Sequence, residues 1–353
     1  MKTMHGEPLT DREHHVLEAV IRTYVETAEP AGSRTVTRRF SLGVSPATVR
    51  NTMSDLEEKG FLYHPHASSG RIPTDRAYRF YVDSVIGPSL LPEADQQAIR
   101  LELEQSADRA AVERLVARAA QVLGLLTQEL GIAIAPRLDE AILERLKLLP
   151  LSEGKVLLVL ALRAGGVRTI YVDVPAAVPS AALGAVARVL NERLAGLTLR
   201  EIRQTLAARL RDSLAADDPA ASELLNIFLH SAEEWFFTPT GGQTELHMGR
   251  ASILAGQPEF NTGERLKGLL ELVERRDLLG TVLGDRLGTR GLQVTIGAEH
   301  GERALTDFTV ITSEYQVGDL RGVIGVIGPT RMPYDRIISF VENTSAMVSE
   351  FLA

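Results

Sequence analysis

The stretch from Pro30 to Lys59, PAGSRTVTRRFSLGVSPATVRNTMSDLEEK, constrains the fold most, because its apolar residues recur with the period of two short helices on either side of a tight turn. Ser45 is placed to cap the second helix, and Pro46 fits its first position, where a missing N–H costs nothing. Val49, Met53 and Leu56 then form one stripe, and Ala47, Arg50, Asn51 and Ser54 fall on the opposite face. Arg and Asn are the residues that make bidentate contacts to guanine and adenine in the major groove, and a recognition helix offers its N-terminal residues to the bases. The pattern predicts a helix-turn-helix with Ser45, Ala47, Thr48, Arg50, Asn51 and Ser54 at the DNA.

The preceding helix, capped by Gly32 or Ser33, carries Val36 and Phe40 on one side and Arg34, Arg38 and Arg39 on others. From Pro30 to Ser54 there is no acid, although the chain as a whole has a formal net charge of −8. A local basic patch within an acidic chain points to phosphate contact. A solvated basic face, or a helix-turn-helix used to bind protein, is the competing reading. Upstream, Thr10 and Glu13 form the signature of a capping box, and Val16, Leu17, Val20, Ile21 and Tyr24 give a first helix. Downstream, Phe61 to Tyr63, a polar tip and Arg71-Ile72 read as strand, loop and strand, a wing. Arg71 either reaches a phosphate or the minor groove or is simply solvated at a hairpin end. His64 and His66 have same-face strand spacing but no third metal ligand nearby.

The segments LTDREHHVLEAVIRTYVETAEPAGSRTV and LGVSPATVRNTMSDLEEKGFLYHPHASSGRIPTDRAYRFYVDSV resemble the amino-terminal signature of the HrcA family of heat-inducible transcription repressors. Glu29-Pro30, Gly32-Ser33-Arg34, Ser45 to Asn51, Asp55-Leu56-Glu57 and Ser69 to Asp75 stand in the family's order. Ala28 departs from the family's usual glycine, Thr52 from its glutamate and Ser69 from its alanine, and Thr52 is expected to alter the flank of the reading face. The resemblance implies an α+β multidomain protein. Its parts would be a winged helix-turn-helix at 1–87, a GAF-like α/β domain at 93–196 and 291–353, and a dimerising domain inserted at about 197–290. It also implies a homodimeric repressor of chaperone genes that binds a CIRCE-type inverted repeat and is supported by a GroEL-type chaperonin. A ligand-responsive winged-helix regulator, sensing a small molecule through the GAF-like domain, is the alternative.

Residue patterns along the rest of the chain predict a helix from Asp75 to Ile86 with a buried aromatic side. GPSLLP at 87–92 then marks a boundary. One long or two consecutive amphipathic helices follow over Glu93 to Leu130, with Leu101 among the apolar positions. Strands are expected at Ile142–Leu149, Lys155–Leu162 and Val167–Val174, the last two joined by an Ala164-Gly165-Gly166 turn. Helices follow at Pro179–Leu194 and Leu199–Leu214, then a break at Asp217-Asp218-Pro219. The next helical block, Ala220 to Phe237, is more apolar than one buried face requires, so Leu225, Phe228, Trp235 and Phe236 are candidates for a dimer contact. A turn at Thr238–Gly242, a strand at Thr244–Met248, a helix at Thr262–Arg276, three strands (Gln293–Ile296, Phe308–Tyr315, Arg321–Ile327) and a last helix, Pro333–Phe351, complete the pattern.

Catalytic signatures are absent. The Gly-rich run at 318–328 lacks G-x-x-x-x-G-K, and neither H-E-x-x-H nor G-x-S-x-G occurs. No enzymatic activity, cofactor or metal is expected. The lack of cysteine excludes disulfides and thiolate zinc sites and fits a reducing compartment. MKTMHGEPLT has no signal-peptide core and no run is long enough to span a membrane, so a cytoplasmic location is expected.

Overall fold

The structure is a computed structural model that describes residues 9–66, 69–85, 91–104, 112–136, 140–152, 154–163, 167–174, 178–211, 219–236, 246–318 and 320–352. Its first unit is three helices, α1 (Asp11–Thr27), α2 (Ser33–Arg39) and α3 (Pro46–Glu58), a short hairpin of β1 (Leu62–Tyr63) and β2 (Ile72–Pro73), and α4 (Asp75–Val85). The expected capping box is formed: Thr10 caps α1 through the Glu13 N–H, and the Glu13 carboxylate returns to the Thr10 N–H at 2.8 Å. Val16, Leu17, Val20, Val36, Val49, Met53 and Leu56 are buried together, which fixes the three helices against one another.

Two helices, α5 (Glu93–Glu104) and α6 (Val112–Thr127), occupy the region where one or two were expected. Leu101 is 59% exposed, contrary to expectation, because Ile99 and Leu103 set the buried stripe of α5. Gln128 adopts φ +60, which ends the helical path, and Leu130 opens a strand rather than closing a helix. This strand, β3 (Leu130–Ile134), lies between β7 and β10 in a five-stranded antiparallel sheet of order β7-β3-β10-β9-β8, with β7 (Leu246–Met248), β8 (Leu292–Ile296), β9 (Phe308–Val317) and β10 (Leu320–Pro329). Alternating residues serve its two faces. Leu130, Ile132 and Ile134 pack with α10 (Ser252–Ala255), α11 (Gly263–Glu274) and α12 (Arg276–Gly284), whereas Ala133, Ile311, Tyr315 and Ile324 share a core with α5, α6 and α13 (Tyr334–Leu352). The second of these cores continues into the three-helix unit.

Between β3 and β7 the chain builds a second sheet, β4-β5-β6 (Leu143–Ser152, Lys155–Leu162, Val167–Asp173), antiparallel throughout. Helices α7 (Ser180–Leu194), α8 (Leu199–Leu210) and α9 (Pro219–Phe236) close one of its faces, and their buried residues form a separate core. That core runs from Ala141 to Phe228 and takes in Leu320 at the start of β10, while residues 246–290 pack on the large sheet. The limits 197–290 expected for an insertion therefore cut across two cores. Apolar alternation made the three strands at 142–174 resemble part of the main sheet, but as strands they pair only with one another among the described residues. Of the expected turns, Ala164–Gly166, Asp217–Asp218, Thr238–Gly242 and Gly87–Leu90 lie outside the described residues.

Candidate nucleic-acid interface

Ser45 sits at φ −70, ψ 156 just before α3, and its hydroxyl accepts the Thr48 N–H at 3.2 Å, with Pro46 following at the first helical position. The start of the helix is thereby fixed against fraying. Val49, Met53 and Leu56 are buried, and Ala47, Arg50, Asn51 and Ser54 are exposed, with Thr48 half-buried beside them. Among the described residues the side chains of Arg50 and Asn51 make no hydrogen bond or ion pair. Thr52 does not flank this face: it is 5% exposed and its hydroxyl donates to the Thr48 carbonyl.

The remaining candidates divide. Arg34 and Arg38 are exposed and unpaired among the described residues, whereas Arg39 pairs with Glu26 at the surface. Arg71 is withdrawn from solvent, its side chain 13% exposed and its guanidinium 2.9 Å from the Glu57 carboxylate, so it is not an outward phosphate contact. His64 also bonds Glu57, and no group of three or more metal-ligating side chains occurs among the described residues. Leu225 and Phe228 are not available for the expected dimer contact either. Both are fully interior to the core of α7–α9 and leave nothing for a partner. The side chains of Trp235 and Phe236 lie outside the described residues.

Sequence reasoning missed a different apolar surface. The face of the three-stranded sheet turned away from α7–α9 carries exposed Leu149, Leu151, Val167 and Tyr171, with Leu157 and Val159 half-buried between them. Leu149, Leu157 and Tyr171 lie in one cross-strand row. The signal was present in KVLLVLAL, a strand apolar on both faces.

The three-helix unit is docked on the large sheet by directed contacts. Arg79 donates to the Glu299 carboxylate at 2.8 and 2.6 Å and to the Val294 carbonyl at 2.6 Å. Burial of Glu299 opposes its ionisation, but the hydrogen bonds from Arg79 and the Ile296 N–H and the Arg79 charge hold its pKa below the ordinary value. Asp75 accepts the Ala298 N–H at 3.0 Å, and at Gly297 (φ +51) a Cβ would stand 2.0 Å from that carboxylate, so glycine is required there. Arg331 joins Glu259 to the Val25 carbonyl at the end of α1. Beside it a cleft of about 1250 Å³ opens between the hairpin base and α11, lined by Tyr24, Tyr63, Tyr78, Arg265 and Arg331. Tyr78 is buried and its hydroxyl has no partner. No helix among the described residues is long and apolar enough to cross a membrane.

The same architecture occurs in a crystal structure described as a hypothetical protein at 2.2 Å resolution, with 27% identity, a TM-score of 0.68, and 98% of this chain and 99% of that chain covered. Residues 113–338 match the family model for the HrcA protein C-terminal domain. Proteins called heat-inducible transcription repressor HrcA are similar over nearly their whole length. The one from Chlorobium phaeobacteroides is 35% identical over 98% of this chain and 99% of its own, and that from Symbiobacterium thermophilum 37% over 97% and 98%. The class so defined is a transcription repressor and not an enzyme. The chain belongs to the HrcA family.

Proposed function

We propose that the chain is a cytoplasmic, homodimeric repressor of heat-shock chaperone genes that binds a CIRCE-type inverted repeat through a winged helix-turn-helix. The observation that carries this reading is the outer face of α3, where Arg50 and Asn51 are exposed and unpaired on a helix whose start is fixed by Ser45 and Pro46. Arg34 and Arg38, with Arg39 once released from Glu26, supply phosphate contacts. The five-stranded antiparallel sheet with helices on both faces supports the GAF-like label for residues 93–136 and 246–352, and residues 141–236 are the inserted unit. Its open apolar sheet face supports self-association, because contiguous exposed apolar residues mark protein contacts and a symmetric site needs two reading helices. The half-site centres then lie close to a whole number of helical turns apart, in multiples of about 10.5 base pairs. The family membership supports a chaperonin that promotes the active form.

A footprint on the chain's own upstream DNA, with and without a GroEL-type chaperonin, tests the proposal. Symmetric protection of an inverted repeat, strengthened by chaperonin, is expected; protection of no discrete site would defeat it. The cleft bordered by Tyr78 favours a second reading, a repressor tuned by a small molecule held between the hairpin and the sheet domain. A metabolite screen by thermal shift distinguishes it, since a ligand there raises Tm in the wild type and not when Tyr78 and Arg265 are both replaced.

A further inference from the structure

Glu57 lies on α3 one turn beyond Met53, at the end of the helix away from the reading residues. Its two oxygens are used separately. His64, just after β1, donates from Nδ1 at 2.6 Å, and Arg71, just before β2, places Nη2 at 2.9 Å. Both arms of the hairpin are thus tied to one carboxylate on the reading helix. Arg71 is also fixed through its backbone: its N–H donates to the Ala31 carbonyl at 3.0 Å and its carbonyl accepts the Ala31 N–H at 2.8 Å. The approach is closed to any side chain at Gly70, where a Cβ would come within 2.4 Å of the Pro30 carbonyl. The hairpin is pinned at the entry to α2 and at the end of α3, and the Glu57 side chain makes the second attachment.

We infer that Glu57 is a positioning residue for DNA reading, setting the pose of the hairpin relative to the recognition helix by holding His64 and Arg71 at once. This rests on the proposed DNA-binding function. Its charge matters as well as its reach. A carboxylate left free near the duplex would repel phosphate, whereas paired to Arg71 it is neutralised and the guanidinium gains a charged partner at Nη2, its buried Nε making no hydrogen bond. The hairpin, with its arginine engaged, then contributes shape rather than net positive charge, and the sequence-independent attraction comes from α2 and α3.

The test uses the whole 353-residue chain and the variants Glu57→Gln, Arg71→Ala and the double variant. Amide hydrogen exchange on the free proteins reads the clamp without DNA: residues 62–73 should exchange faster in Glu57→Gln while α1 is unchanged. On the operator, Glu57→Gln should lose about tenfold in affinity, the scale of one charge-assisted hydrogen bond. Hydroxyl-radical protection should fade at the flanks of each half-site while discrimination at the bases opposite Arg50 and Asn51 persists. A merely structural role would weaken protection evenly. If the residues act through one clamp, the double variant is no worse than the poorer single one, and additive losses would overturn the inference. Unchanged exchange at 62–73 would overturn it too, whatever the DNA result. A wild type that binds no operator, with the exchange effect present, would count against the DNA-binding reading and leave the clamp standing.

Discussion

Two open faces among the described residues differ in kind. The outer side of α3 is polar, with Arg50, Asn51 and Ser54 carrying hydrogen-bonding groups into solvent, while the outer side of the three-stranded sheet presents Leu149, Leu151, Val167 and Tyr171. Either could be ordinary surface taken residue by residue. As faces they are distinct, since unpaired polar groups on a rigidly capped helix suit base edges, and the apolar row of Leu149, Leu157 and Tyr171, bordered by exposed Lys147 and Thr169, suits another apolar row with a polar rim. On the proposed function, reading and assembly are separated, with a different element for each.

The most severe way to break that division is a charge on the sheet. Tyr171→Asp or Leu149→Asp should weaken self-association by about 3 kcal/mol, because the carboxylate would be buried without a partner in the dimer. Sedimentation should show monomer, and operator preference should fall while α3 remains intact by circular dichroism. An unchanged dimer would remove this face from assembly. A smaller effect is expected on the other face, where Arg50→Ala or Asn51→Ala should cost about 1–3 kcal/mol on the operator and much less on random DNA. Equal losses on both DNAs would return α3 to the status of solvated surface.

The exposed side of α3 was legible in the sequence and the open face of the three-stranded sheet was not, for a physical reason. A helix announces its exposed side locally, through caps and a period of 3.6, and Ser45, Val49, Met53 and Leu56 were enough to orient Arg50 and Asn51 correctly. The partners of a strand are set by distant residues. Nothing in KVLLVLAL separates a strand buried on both sides from one buried on one side and waiting for a partner, and the apolar excess was assigned instead to α9, whose Leu225 and Phe228 the core consumes. Arg71 fails for the same kind of reason: its partner Glu57 lies fourteen positions earlier, on another element. The sheet order, with β3 and β7 paired across the three-stranded sheet and its helices, was beyond any local pattern.

Ala28 sharpens the contrast from the side of stability. The family's usual glycine has an evident cause, since Ala28 ends α1 at φ 55, ψ 13, in the left-handed region that an L side chain enters at a cost. Ala28→Gly should therefore raise the stability of the chain by about 1 kcal/mol, net of the added freedom of the unfolded glycine. Chemical denaturation measures it. Operator discrimination should not change, because residue 28 lies on neither open face; a change in discrimination would mean that the end of α1 helps to set α3.

The smallest effect separates the arginines of α2. Arg38 is exposed with no partner among the described residues, while Arg39 already pairs with Glu26. A free guanidinium near phosphate releases a counterion when DNA binds, whereas a paired one must first give up its carboxylate, and a surface pair of this type holds by less than about 1 kcal/mol. Arg38→Ala should lower the slope of log affinity against log salt by about one and weaken operator and random DNA alike. Arg39→Ala should lower the slope by less, and Glu26→Gln should raise affinity slightly by freeing Arg39. If Arg38→Ala leaves the slope unchanged, the C-terminal end of α2 does not meet the backbone, and the attraction of the reading unit for DNA must come from α3 and from Arg34 at the start of α2.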